Sequence, residues 1–359
     1  MEERIKLVPG FFLERLKEHL DYADEFVYNV TSSIENDYQE IDSLFAKNLI
    51  YSELNGERYG FFSLQKEIWV LIAEQDKKIY GFEVVTLKRG GSLKLGPTYI
   101  AASIRGKAYA QLMIQGICKH YATNGWRKVY VTAPLMNKAA GKLDFEKLGF
   151  TMEAVLKKQY SDNSNERISS LFLKECKESR KIPVNIDYGN KKIRGIRQVD
   201  RDSEFASIEK FFLQNMRDYY NDIDQSFFDN LKNRILAGID VRYEEKGKVM
   251  FCIYDEMNLV GGFICTLKRG GGIKIAPLLI DRKYINPNNI KRVLDRIISY
   301  AKEKKRRKIT IFVPNNEISL INGIIDNGFN CEGMLREPYK EGVDMSLMVK
   351  FIENSFLTF

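Results

Sequence analysis

The run Arg105-Gly106-Lys107-Ala108-Tyr109-Ala110 stands between an apolar, strand-like stretch and the start of a long amphipathic helix. Such a helix start is an anion cradle, because its first backbone N–H groups lack intrahelical acceptors and the positive end of the helix dipole lies behind them. Small residues at 106, 108 and 110 let a phosphate approach the backbone, and Arg105 and Lys107 add charge. The plain alternative is an ordinary helix N-terminus. Three side chains could move protons. Glu83 interrupts the apolar run Tyr80-Gly81-Phe82-Glu83-Val84-Val85 and is either a base working through water or a solvated residue on a strand edge. Tyr99 and Tyr160 can each donate a proton or simply pack. With only His19 and His120 in the chain, neither a Ser-His-Asp triad nor a His-rich metal site is expected, and no metal is assigned.

The elements around the run have a definite order. Residues 93–100 read as a strand broken by Gly96-Pro97, since proline removes a ladder donor. Tyr109, Leu112, Met113, Gly116, Ile117 and Tyr121 then keep a helical period, and residues 129–133 read as a buried strand. Asn137 and Phe145-Glu146-Lys147-Leu148-Gly149-Phe150 follow. In this order the chain resembles the GNAT superfamily of acyl-CoA N-acyltransferases. Its members carry Arg/Gln-x-x-Gly-x-Gly/Ala after the fourth strand, and an asparagine ahead of a Phe-Tyr-Glu-x-x-Gly-Phe-like helix end. Ala108 and Ala110 stand here where glycines are usual, although alanine is common at the second.

The same unit occurs twice. Thr86-Leu87-Lys88-Arg89-Gly90-Gly91 recurs as Thr266-Leu267-Lys268-Arg269-Gly270-Gly271, Thr266 standing 180 residues after Thr86. The register holds through Lys94 and Lys274, Pro97 and Pro277, and Arg127-Lys128 and Arg307-Lys308. A period that long means two homologous domains, not a solenoid. We expect a GNAT-like domain over 1–175, a charged linker over 176–192, and a second, degenerate GNAT-like domain over 193–359. In the second copy strands are predicted at 193–198, 250–254, 259–267, 273–280 and 309–313, with two more starting near 330 and 343. Helices are predicted at 205–219, 227–236 and 288–304. Gly-Gly hairpins make antiparallel pairs and the strand–helix–strand crossover a parallel one. The expected fold class is therefore α/β: two tandem domains, each a mixed, largely antiparallel twisted sheet flanked by helices. Residues 1–60 fit this template least well.

Composition narrows the setting. Hydrophobic residues make up 44%, and no apolar run approaches the ~20 residues of a membrane span. The start Met-Glu-Glu-Arg is no secretory signal. Five cysteines without Cys-x-x-Cys spacing fit a reduced, cytoplasmic location. The net charge is +8 and residues 302–308 form a dense basic run, but no aromatic-basic signature accompanies it. Nucleic acid is thus disfavoured without being excluded, and the run reads as a solvated helix C-terminus.

The resemblance implies an acyl-CoA N-acyltransferase, with acetyl-CoA or another acyl-CoA as co-substrate. The acceptor would be a primary amine on a small molecule or a protein. It implies that 105–110, Tyr109 included, holds the pyrophosphate. The backbone at Ile100 would face the acyl carbonyl, the backbone at Ala102 the pantetheine, and Asn137 the CoA side, where it could equally cap the next helix. The family's frequent thiolate-protonating tyrosine is Phe145 here, and where some members place a glutamate base this chain has Lys94. In copy two, Ile285-Asn286-Pro287-Asn288-Asn289-Ile290 replaces the loop, so CoA is expected at the first domain only. The second would shape the acceptor site, dimerise or bind a partner, and a homodimer is left open. Two further readings remain at this stage: a Fem-type aminoacyl transferase using aminoacyl-tRNA, and a non-catalytic binding protein derived from a GNAT enzyme.

Overall fold

The computed structural model describes residues 5–12, 66–73, 79–88, 90–100, 102–135, 144–159, 163–174, 188–200, 204–221, 224–236, 247–268 and 271–352. The chain divides into two compact units. The first takes 1–133, 137–151 and 169–175; the second takes 134–136, 152–168 and 176–359.

In the first unit, strands β1 (Ile5–Phe12), β2 (Lys66–Ala73), β3 (Ile79–Lys88) and β4 (Ser92–Ile100) pair antiparallel in chain order, and β4 pairs in parallel with β5 (Lys128–Pro134). A parallel neighbour needs a crossover connection, which helix α1 (Tyr109–Thr123) provides. Met113, Ile114, Ile117, Cys118 and Tyr121 recur at helical spacing and bury one face of α1. Leu112, expected on that face, is 55% exposed: one residue is about 100° of helix, enough to turn it outward. The buried face packs on Trp69, Leu71, Val85, Leu93 and Val129, and the cluster is extended by Phe145 and Phe150. The β3–β4 turn uses Gly90 and Gly91 at positive φ (84° and 74°). Arg127 holds it, its Nε donating to the Gly90 carbonyl at 3.0 Å and its amide to that of Gly91 at 2.9 Å.

The second unit includes β6 (Thr151–Leu156) from Met152 onward, and the start of β7 (Glu166–Phe172). Its other strands are β8 (Gly195–Gln198), β9 (Lys248–Asp255), β10 (Asn258–Leu267), β11 (Gly272–Ile280), β12 (Lys308–Pro314), β13 (Asn330–Lys340) and β14 (Val343–Phe351). Their order is β6-β13-β14-β12-β11-β10-β9-β8, and only the β11–β12 pair is parallel among those whose register is described. Helices α2 (Phe205–Met216) and α3 (Gln225–Leu236) cover one face, where Phe212 and Phe228 meet Met250 and Ile264. Helices α4 (Pro287–Glu303) and α5 (Ile318–Asp326) cover the other, where Val293, Ile297 and Ile324 meet Phe263 and Ile275. Burial on both faces explains why β10 is apolar at successive positions and does not alternate. Among the described residues no helix is long and apolar enough to cross a membrane.

The sequence repeat suggested a boundary at 176–192, yet residues 152–168 group with the second unit. Polar contacts and close backbone approach account for this. The ammonium of Lys308 donates to the Lys157 carbonyl at 2.6 Å and pairs with Glu332 at 2.9 Å, both side chains almost fully buried. Arg336 pairs with Glu153 at 3.4 Å. Gly333 sits opposite Ala154, and a Cβ on it would lie 2.4 Å from that of Ala154, so only glycine fits there.

Breaking a buried ion pair on one side leaves an uncompensated charge. Lys308→Met is therefore expected to destabilise this unit by about 3–5 kcal/mol in urea unfolding. The double change Lys308→Met with Glu332→Leu should recover most of that loss, and equal losses in the single and double variants would contradict it.

Candidate functional site

The loop after β4 begins as a 3-10 turn over Ala102–Ile104 and turns at Arg105-Gly106. Gly106 has φ 83° with open space around its missing Cβ, so the backbone angle and not crowding favours glycine. Ala108, at φ 62°, is the N-cap of α1 and makes no side-chain capping bond. The Lys107 amide donates to Ile104 at 3.3 Å, and the first helical bond beyond it runs from Leu112 to Ala108 at 3.1 Å. The amides of 108–111 therefore precede any i→i−4 bond, and Tyr109 and Ala110 open the helix. Residues 105–108 are exposed. Arg105 folds back, its Nε donating to the Ile100 carbonyl at 2.8 Å, which ties the loop to the end of β4.

That strand end is set apart from its neighbours. Across β3–β4, Glu83 faces Thr98 and Val85 faces Leu95, so β4 carries one extra residue between them, at Gly96-Pro97. Parallel pairing of β4 with β5 runs from Ser92–Lys128 to Leu95–Val131 and stops. Beyond Leu95 the two strands part at the bulge the sequence marks with its Gly-Pro pair. Past Leu95 the described pairing of β4 is with β3 alone, and the uncapped helix start follows this stretch in the chain.

Glu83 is wholly buried, which rules out the solvated-edge alternative. It lies between Trp69 on β2 and Thr98 on β4 in one cross-strand row. Burial raises its pKa from the ordinary 4.5 to about 8, while the Thr98 hydroxyl and Gly96 amide pull the other way. Neither reaches full hydrogen-bond geometry, so both carboxylate oxygens lack a partner, as does the neighbouring Trp69 Nε1. Burial, with Glu83 nearby, also pushes the Cys118 thiol up to about 12, which removes it as a thiolate nucleophile. Phe145 is buried and meets Phe150 edge to face at 5.4 Å, a packing role. The backbone of Tyr99 pairs with Phe82, but its side chain lies outside the described residues, as do the side chain of Ala102 and all of Asn137 and Tyr160. Trp69 and Thr98 were not singled out from sequence; the pairing of two strands with Glu83's strand was the missing datum. Among the described residues no group of three or more His, Cys, Asp or Glu side chains is placed to hold a metal.

The second unit repeats the bulge and the short parallel pairing. Phe263 faces Leu278 and Cys265 faces Ile275, the same one-residue bulge, and β11–β12 pairing also ends after four residues, at Ile275–Ile311. The helix start differs. Asn286 caps α4 by accepting the Asn289 amide at 3.0 Å, Pro287 has no N–H to offer, and Ile285 is buried. Phe263 takes the place of Glu83, and Lys274 at the fork donates to the Tyr339 hydroxyl at 2.6 Å over the Phe312 ring.

No protein-family profile matches the chain, and no curated protein is significantly similar to it. Solved structures are similar over about half of it. A GNAT-family acetyltransferase from Desulfovibrio desulfuricans shares 14% identity over 48% of this chain and 100% of its own, with a TM-score of 0.38. An aminoglycoside 6'-N-acetyltransferase complexed with coenzyme A shares 11% over 49% and 99%, at 0.36. The PaiA N-acetyltransferase of Thermoplasma acidophilum, also with coenzyme A, shares 14% over 47% and 99%, at 0.36. Likeness this distant transfers no activity. The GNAT-like reading of the fold rests on the strand order, the bulged and forked β4, and the loop that follows it.

Glu83 makes stability depend on pH. Between about 4.5 and about 8 the folded protein holds a proton that the unfolded chain has released, so stability falls as pH rises through that window. Glu83→Gln should remove the fall, being more stable than the parent at pH 8–9 by on the order of a few kcal/mol and little different near pH 4. Denaturation midpoints that move in parallel for both proteins across the window would show that the carboxyl is not protonated when folded.

Proposed function

We propose that the first unit is an acyl-CoA N-acyltransferase, using acetyl-CoA in the simplest case, with a primary amine as acceptor. The observation that carries this reading is the uncapped start of α1 at the mouth of the β4–β5 fork. The amides of 108–111 and the exposed Lys107 suit a pyrophosphate, and the stretch of β4 that no longer pairs with β5 suits a pantetheine arm lying alongside it as an extra strand. The acyl carbonyl then comes near the backbone of Ile100, whose own carbonyl Arg105 holds in place.

Acyl transfer asks little covalent work of the protein. The amine nitrogen attacks the thioester carbon, the C–S bond breaks, and the thiolate leaves with a proton. The amine must first lose its own proton, and Glu83, with a pKa of about 8, is matched to that task above neutral pH. Phe145 cannot protonate the leaving sulfur, and Tyr99 and Tyr160 are the side chains assigned to it here. In the second unit the cap at Asn286 and the proline after it consume the donors an anion would need, so that unit is assigned no CoA. A non-catalytic CoA-binding protein is the second reading, favoured by the commitment of Phe145 to the core.

Calorimetry with acetyl-CoA should give one site per chain. Ala108→Asp keeps a residue type that tolerates positive φ while placing a negative charge against the pyrophosphate. It should weaken binding at least ~tenfold, about 1.4 kcal/mol. Two equivalent sites, or unchanged affinity in that variant, would refute the assignment. A thermal-shift titration with tRNA in place of acetyl-CoA tests the aminoacyl-transferase reading, and turnover with simple amines separates the enzyme from the binder.

A further inference from the structure

Glu83 poses a problem of access. Its carboxyl is wholly buried, so an amine arriving in the fork cannot touch it. Each element packed against it offers one neighbour. β2 gives Trp69, which is 2% exposed and carries no proton to exchange near neutral pH. Helix α1 gives Cys118, buried and the titratable group among the described residues that faces the carboxyl. β4 gives Thr98, directly opposite in the antiparallel register and exposed. Directly opposed residues of an antiparallel pair present their side chains on the same face, within about 5.5 Å at Cβ. Thr98 also stands just past the Gly96-Pro97 bulge, on the stretch of β4 that has left β5. It is thus the neighbour that stands opposite the buried carboxyl and is itself exposed.

We propose that Thr98 is a relay residue that connects Glu83 to the cleft, its hydroxyl passing to Glu83 the proton lost by the acceptor amine. The step balances without a further reactant. Thr98 Oγ accepts a proton from the ammonium and releases its own hydroxyl proton to the Glu83 carboxylate, leaving a neutral amine and a neutral carboxylic acid. A threonine suits the place because its hydroxyl donates and accepts at once, while its branched side chain fits a strand. The proposal rests on the acyltransferase reading for the identity of the proton donor, but the Glu83–Thr98 link does not.

The test compares Thr98→Val, which keeps the shape and removes the hydroxyl, with Thr98→Ser, which keeps the hydroxyl. Thr98→Ala stands in should the valine variant fold poorly. The carboxylic C=O infrared band, assigned by its loss in Glu83→Gln, is titrated first in the absence of substrates. Because the hydroxyl favours the charged carboxylate, its removal should move the titration upward by about one pH unit, and serine should restore it. In turnover with acetyl-CoA and a simple amine, Thr98→Val should lower kcat at least ~tenfold and shift the pH profile in step, with KM for acetyl-CoA within about twofold. Serine should rescue both. An unchanged carboxyl titration in Thr98→Val overturns the relay whatever the activity. Equal loss of kcat in valine and serine variants, with unshifted profiles, reduces Thr98 to packing and also overturns it. A shifted titration in a protein that binds acetyl-CoA but acylates no amine would keep the link, remove its assigned task and refute the acyltransferase reading instead.

Discussion

A strand that must pair antiparallel on one side and parallel on the other cannot do both along its whole length if one side carries an extra residue. β4 meets that constraint at Gly96-Pro97. The bulge keeps the β3 ladder going, with Thr98 restored to register opposite Glu83, and ends the β5 ladder at Leu95–Val131. The end of the β5 pairing and the placement of an exposed threonine opposite a buried glutamate both accompany that one insertion. The Arg127 clamp on the Gly90-Gly91 turn holds the hairpin from its other end, so the fork diverges from a fixed base.

The second unit shows that the bulged scaffold and the way its helix starts are separable. It has the same bulge, the same four-residue parallel pairing and a helix in the same place. What differs is how the donors at the helix start are spent. In the first unit Ala108 has no side-chain cap to offer, and the first amides of the helix are left without one. In the second, Asn286 consumes the Asn289 amide, while Asn289 turns its own side chain inward to the carbonyls of Lys191 and Tyr284. A capped helix start is the more stable one on its own by about 1 kcal/mol. The uncapped start forgoes that stabilisation.

Buried charge separates structure from chemistry in the same way. Lys308 and Glu332 are buried as a pair, at 2.9 Å, with the ammonium further bonded to a carbonyl. Such a pair fixes which segments meet and adds little net stability against apolar substitutes. Glu83 is buried with both oxygens unpartnered beside an equally unpartnered Trp69 Nε1. Desolvation on that scale is tolerated only by holding the proton, which is why the carboxyl stays neutral near pH 7 and loses its proton near 8. A group in that state contributes no stability as a carboxylate.

The sequence by itself determined the elements and the loop. Gly-Pro in a strand, Gly-Gly turns with positive φ, and small residues before an amphipathic helix are local constraints, and local constraints can be read one residue at a time. The repeat, with Asn286 and Pro287 set where Gly106 and Lys107 stand in the first copy, likewise marked the two helix starts as different. Tertiary structure decided the rest because it depends on which strands become neighbours. Glu83 reads more readily as a solvated edge residue than as a base until Trp69 and Thr98 are placed on either side of it. Leu112 belongs to the helical period, yet the sheet selects a face one step round. Residues 152–168 fall in the first copy of the sequence repeat and in the second unit by contact, because Lys308, Glu332 and Gly333 meet them only once the chain has folded.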